Sequence, residues 1–288
     1  MKFHAPSHLV AVLSLAAILA CTPPAGAQSV PAEQPTPVSP ASAPDPAFLA
    51  RANATIDHSR KLIDAFFEQT SNVVCTENVE QTLVGKNNKP MYREESVFEY
   101  QLQSTNNRGG SLRLTESRET RKAAFRDPNK TLLITNGFAS LLLILHERYE
   151  SSYTFDPLSE ETTDNRTALH VHFKAVPGGS SPAAIQLLGR NYPLPLKGDI
   201  WIDEETGAIT KLASSLDGSL ADLGLRDIQT EIHYSLVQFH APEEAYWMPA
   251  SAIIDVQTPK QHWRNVHHFS AYRRFRATIQ VQLGDKQP

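Results

Sequence analysis

The sequence predicts a mainly β, α+β fold: a large curved antiparallel sheet, or a half-open β-barrel, covered on its concave side by one or two helices. Three observations carry this reading. The C-terminal half is a succession of alternating apolar and polar runs separated by turn signals. One apolar stripe at helical spacing stands near residues 47–70. A dense apolar run stands mid-chain at residues 138–149. A sheet with one dry face cannot leave that face in water, so it must curl, pair with a second sheet or be covered by helices.

The chain starts with an export segment. Lys2 precedes an apolar run from Leu9 to Ala20, and Ala25, Gly26 and Ala27 follow. This is the layout of a signal peptide over residues 1–27, cut after Ala27. The run is about 18 Å long as a helix, too short for the roughly 20 residues a bilayer span needs. Ile18-Leu19-Ala20-Cys21 also matches a lipoprotein processing site, which would lipidate Cys21 and tether the domain to a membrane. Residues 28–46 hold six prolines in 19 positions and no apolar period, the composition of a solvated tether. A single domain over 47–288 is expected to follow, in the periplasm or outside the cell.

Composition narrows the function classes. The 288 residues carry 27 Lys plus Arg against 31 Asp plus Glu, a net charge of -4. With 41% hydrophobic and 20% charged residues, this is neither a basic nucleic-acid binder nor a disordered chain. Two cysteines, Cys21 and Cys75, are too few for a disulfide scaffold or a four-thiolate zinc site. Cys75 lies beside Val73 and Val74, the setting of a buried thiol acting as a small hydrophobe.

The elements follow in order. Leu49, Ile56 and Ile63, with Ala52, Phe66 and Phe67, make one side of a helix, and Asp45-Pro46 supplies a cap and a first-turn proline. From Cys75 the period becomes that of strands, with Val97, Phe98 and Tyr100 favouring extended backbone. Asn106 to Gly110 is a turn, and 111–121 reads as a further strand although its charge argues against one. The run at 138–149 reads as a short buried helix, or else as a central strand. A short strand at Tyr153-Thr154-Phe155 ends at Asp156-Pro157. Leu169, Val171 and Phe173 alternate with His170, His172 and Lys174. Gly198 to Leu212 is a hairpin turning at Glu204-Glu205-Thr206-Gly207. Strands marked by Ile232 and Tyr234, by Ile254 and Val256, and by Phe269 and Tyr272 complete the sheet.

Four pieces carry a resemblance: Asn72-Val73-Val74-Cys75-Thr76, the hairpin from Gly198 to Gly207, Tyr246-Trp247-Met248-Pro249, and Tyr272-Arg273-Arg274-Phe275. Together they resemble secreted proteins of unassigned function common in acidobacteria. More distantly, the hairpin and the Tyr-x-x-Pro strand resemble the carriers that sort lipoproteins to the outer membrane, of LolA and LppX type. The second resemblance implies a half-open barrel with helices on its concave side and an acyl chain held between them.

No catalytic signature is present. There is no Gly-x-Ser-x-Gly elbow, no His-Glu-x-x-His and no phosphate-cradling glycine loop. His170 and His172 share a strand face at a spacing two metal ligands could use, and they are the weak metal alternative. The expectation is a non-enzymatic envelope protein, with no cofactor, that binds a lipid or other hydrophobic ligand between sheet and helices. Phe66, Phe67, Leu141, Ile144, Trp201, Met248 and Ile254 are the candidate lining, and Arg274 and Arg276 the candidate rim for an anionic head. A filled-core module that binds another envelope protein is the main alternative, and a metal-dependent hydrolase the lesser one.

Overall fold

The structure is a computed structural model that describes residues 45–69, 72–106, 112–122, 137–163, 166–187, 190–218, 220–240 and 243–274, all within the unit Pro44–Pro288. The signal peptide, Cys21, most of the tether and Arg276 lie outside these residues. Helix α1 (Pro46–Gln69) leads into β1 (Val73–Val84), β2 (Pro90–Asn106) and β3 (Leu112–Lys122). Two 3-10 helices follow, Ser140–Leu145 and Glu147–Ser152. Next come β4 (Tyr153–Thr163), β5 (Arg166–Ala175) and a small hairpin of β6 (Ala184–Leu187) and β7 (Arg190–Pro193). The chain then runs through β8 (Leu196–Asp203), β9 (Ile209–Leu216), β10 (Asp227–His240), β11 (Glu243–Gln257) and β12 (His262–Arg274).

Ten of these strands form one antiparallel sheet in the order β3-β2-β1-β12-β11-β10-β9-β8-β5-β4. The last strand lies beside the first, the runs β1 to β3 and β8 to β12 are meanders, and the chain crosses from one end of the sheet to the other between β3 and β4. The sheet does not close into a barrel, because β3 and β4 stay at its two ends. Between those strands the chain forms 3-10 helices whose apolar residues join the core instead of bridging the edges.

Helix α1 begins as its sequence dictates. Asp45 Oδ1 accepts the Ala47 N–H at 3.0 Å, and Pro46 occupies the first turn, where no N–H is needed. Its Ala52, Ile56, Ile63, Phe66 and Phe67 are buried against the inner face of the sheet. Arg51 reaches Glu160 of β4 at 2.8 Å, while the Phe67 carbonyl accepts Ser104 Oγ of β2 at 2.7 Å. The helix therefore touches strands near both ends of the sheet. The 203–208 turn packs on it too: Gly207 adopts φ +70°, and a Cβ there would come within 2.8 Å of the His58 ring. Asp203 Oδ1 holds this turn through the Thr206 N–H and Oγ1 at 2.8 and 2.7 Å.

The short buried helix expected in the 138–149 run is present and is of the 3-10 kind, and one strand bound needs correction. The 138–149 run forms 3-10 turns, with Leu142 N–H bonded to Ala139 O and His146 N–H to Leu143 O. All five residues from Leu141 to Leu145 are buried, so no wet face exists to favour a longer amphipathic helix. The strand from Tyr153 does not stop at Pro157 but continues to Thr163. It is an edge strand with a register shift at Pro157/Ser159, where a missing N–H is tolerated. β12 starts at His262 and places Trp263, Asn265 and His267 on the inner face.

Candidate functional site

The site is the layer between the inner sheet face and the segments that cover it. Phe66, Phe67, Leu141, Ile144, Met248 and Ile254 are all buried there in one continuous core. Trp201 is not among them. Its neighbours Ile200 and Ile202 point inward, so strand alternation sends Trp201 to the outer face. There its indole stacks on His170 at 4.6 Å, has Lys211 Nζ over it at 4.6 Å and donates to Glu161.

A single carboxylate anchors the Leu141–Leu145 segment. Glu116 of β3 accepts the N–H groups of Gly137, Phe138 and Ser140 at 2.8, 3.0 and 2.7 Å. It also accepts the hydroxyls of Ser140 and Tyr100. The Ser140 N–H is one that a short helix leaves unpaired at its start, and the other two belong to the turn that leads into it. At the other end, Asp64 of α1 accepts the Glu147 N–H at 3.3 Å. We refer to residues 137–145 as the plug.

Beneath the plug lies a charged cluster that the alternation pattern did not announce. Glu77 of β1 receives Arg118 of β3 through both Nε and Nη2, and His267 of β12 through Nδ1 at 2.8 Å. The Glu77, Arg118 and His267 side chains are 0%, 5% and 2% exposed, so solvent does not screen the pairing. Burial alone would raise the Glu77 carboxyl, but the bonds from His267 and Arg118 outweigh it and hold the group below the usual carboxylate range. Burial pushes the His267 imidazole down, against the opposing pull of Glu77. The favoured state is an ionised Glu77, a cationic Arg118 and a neutral His267. Nearby, Cys75 is buried and its thiol is pushed up to about 12, mainly by desolvation. That makes it an inert core residue.

The sign of the resulting pH dependence is fixed. An unfolded histidine takes up a proton near pH 6.5, whereas His267 in the folded state resists it. Its contribution to stability is therefore complete above about pH 6.5 and is lost as the pH falls, by up to about 1.4 kcal/mol per pH unit. Glu77 adds a second loss in the carboxylate range, since its folded form resists protonation as well. Thermal unfolding from pH 8 to pH 5 should show the first loss in the native protein and a flatter profile in His267→Phe. Equal slopes would remove His267 from the account.

The outer face carries the two histidine candidates, whereas Arg274 stands on the inner side, over the Tyr246 ring that meets Phe66 of α1 at 5.6 Å. His170 lies between Glu161 (3.0 Å) and Asp199 (3.2 Å), and His172 Nδ1 lies 3.1 Å from the same Asp199 oxygen. Among the described residues no group of three or more His, Cys, Asp or Glu is placed to hold a metal ion. Arg274 pairs with Glu244 and lies over the Tyr246 ring. A groove of about 450 Å³, flanked by Asp199, Glu231, Asp255 and Arg264, runs across outward positions of β8 to β12. A smaller hollow of about 270 Å³ lies beside Val176 to Ser181. Neither is lined by any candidate pocket residue. Among the described residues no helix is long and apolar enough to cross a membrane.

No family model and no curated protein matches the chain. Among solved structures, a LolA superfamily protein from Nitrosomonas europaea aligns at 10% identity and a TM-score of 0.38, covering 79% of this chain and 94% of that one. A DUF1329 family protein from Desulfovibrio piger aligns at 8% identity and 0.38, covering 82% and 95%. LprF from Mycobacterium bovis aligns at 10% identity and 0.24, covering 81% and 96%. These likenesses are distant in sequence and in structure.

Proposed function

We propose that this is a non-enzymatic, exported envelope protein that takes the apolar chain of a lipid or another hydrophobic ligand between its sheet and the segments covering it. The observation that carries this reading is the plug. Five consecutive aliphatic side chains, Leu141 to Leu145, fill the layer where a ligand chain would lie. At about 0.8 kcal/mol per methylene, eight buried methylenes of a ligand supply roughly 6 kcal/mol before ordering costs. Exchanging one aliphatic filling for another preserves most of the burial, so the main cost of exchange is the set of bonds to Glu116. The polar anchor at one end and the apolar body make the plug the part of the core that can be exchanged.

A second reading has an observation in its favour. Phe66, Phe67, Met248 and Ile254 already belong to a continuous buried core. A filled interior of this kind suits a module that binds another envelope protein through its surface. The leader at residues 1–27 supports export in both readings, and Cys21 is the residue that would tether the domain.

Native mass spectrometry with organic extraction separates the two. The protein would be purified without detergent from a bacterial envelope, then incubated with vesicles of phosphatidylethanolamine and phosphatidylglycerol. A reproducible lipid mass near one per chain is the expected result. A bare polypeptide mass both before and after incubation would move the assignment to the filled-core module.

A further inference from the structure

The inner face has two chemically different halves. On β8 to β11 it presents Ile200, Ile202, Leu212, Ile232, Ile254 and Val256. On β1, β2 and β12 it presents the buried polar groups Glu77, Gln81, Glu94, Ser96, Asn265 and His267. That second half also carries Val79, Phe98, Leu102 and Phe269, so its surface is mixed where the first is apolar.

Phe138, the first large residue of the plug, sits on this mixed half and is 1% exposed. Its ring lies 4.8 Å from that of His267 and 5.2 Å from that of Phe269, with the Arg118 guanidinium 5.4 Å from its centroid. Its N–H is held by Glu116 and its carbonyl by Tyr234 Oη at 2.8 Å. Two buried polar atoms around the ring, Arg118 Nη1 and His267 Nε2, have no partner among the described residues. Their roles differ. Glu77 can only accept, so the His267 proton is on Nδ1 and Nε2 is left as an acceptor. Arg118 Nη1 is always a donor. One donor and one acceptor without hydrogen-bond partners thus flank a phenyl ring, whose face offers the guanidinium a cation–π contact and the imidazole nitrogen no donor. Leaving such groups unpaired in a dry interior is costly.

We infer that Phe138 occupies a head-group seat: when an aliphatic chain replaces Leu141 to Leu145, its polar end takes the place of the Phe138 ring, accepting from Arg118 Nη1 and donating to His267 Nε2. This rests on the proposed exchange of the plug. It also names the ligand class, a neutral amphiphile whose head offers both a donor and an acceptor, such as a long-chain alcohol. The charges around the seat exclude other heads. Glu77 and Glu116 oppose an anion, while Arg118 opposes a cation; His268 lies next along β12, and Tyr100 already gives its hydroxyl proton to Glu116.

The test uses the purified protein, the apolar dye N-phenyl-1-naphthylamine and three competitors of equal chain length: 1-hexadecanol, hexadecyl methyl ether and hexadecane. The alcohol should displace the dye at about ten-fold lower concentration than the ether, which can only accept. In His267→Phe, where Glu77 keeps Arg118, the gap between alcohol and ether should shrink to near one. Equal displacement by all three chains in the native protein overturns the head-group seat and leaves hydrophobic binding standing. A dye that does not bind, or that no competitor displaces, overturns the exchange reading and the seat with it. If His267→Phe fails to fold, as circular dichroism would report, the ranking in the native protein decides by itself.

Discussion

Arg118→Met should destabilise the protein by about 3–5 kcal/mol, because it leaves the Glu77 carboxylate buried with only a neutral imidazole beside it. For a domain of this size that is a fall of roughly 10 °C in the unfolding midpoint. The guanidinium also lies over the Tyr100 and Phe138 rings, at 5.6 and 5.4 Å, so the loss includes these cation–π contacts as well as the pairing with Glu77. The double variant Glu77→Gln, Arg118→Met separates the two contributions. The side-chain amide that replaces the carboxylate can still accept from His267 but carries no charge, so most of the stability should return. A double variant as unstable as Arg118→Met alone would mean that the guanidinium acts through its contacts with the rings and by filling space.

The parts of this fold that were legible in the sequence are those governed by one element at a time. Leu49, Ile56 and Ile63 mark a helix face without reference to anything else in the chain, and Asp45-Pro46 marks its start. Asp203, Thr206 and Gly207 specify their turn through contacts within five residues. Trp201 could also have been placed, since Ile200 and Ile202 on either side leave it only the outer face. Reading it as pocket lining gave its apolarity more weight than its parity.

The charged cluster was not legible, for a physical reason. Glu77 and His267 stand at inward positions of their strands, where alternation predicts apolar residues. Their burial is tolerated because β12 and β3 flank the β1–β2 pair, which brings His267 and Arg118 to Glu77 from opposite sides. His267 is 190 residues from Glu77 in the chain, and Arg118 is 41. Periodicity reports which way a side chain points; it does not report which strand supplies its partner. The same holds for Glu116, whose role as anchor depends on a plug 21 to 24 residues further along.

Glu116→Ala is the variant that bears most directly on what the plug is for. It removes the acceptor of three backbone N–H groups and two hydroxyls, for an expected loss of about 2–4 kcal/mol. The location of that loss matters more than its size. If the plug is an exchangeable filling, its anchor stabilises the closed arrangement of 137–145 and little else. Amide hydrogen exchange should then rise roughly a hundred-fold at Leu141 to Leu145, while the amides of β8 to β11 keep their protection. The same variant should bind more of an apolar dye, since the vacated layer is lined by Phe67, Met248 and Ile254. If protection falls equally in plug and strands, the plug opens only when the whole domain unfolds. Its leucines would then be core of the ordinary kind, and a surface-binding module with a filled interior becomes the better description. Tyr234 supplies the control. Tyr234→Phe removes its bond to the Phe138 carbonyl and keeps the ring, so a smaller rise confined to the same amides would place the hinge of the opening at Phe138.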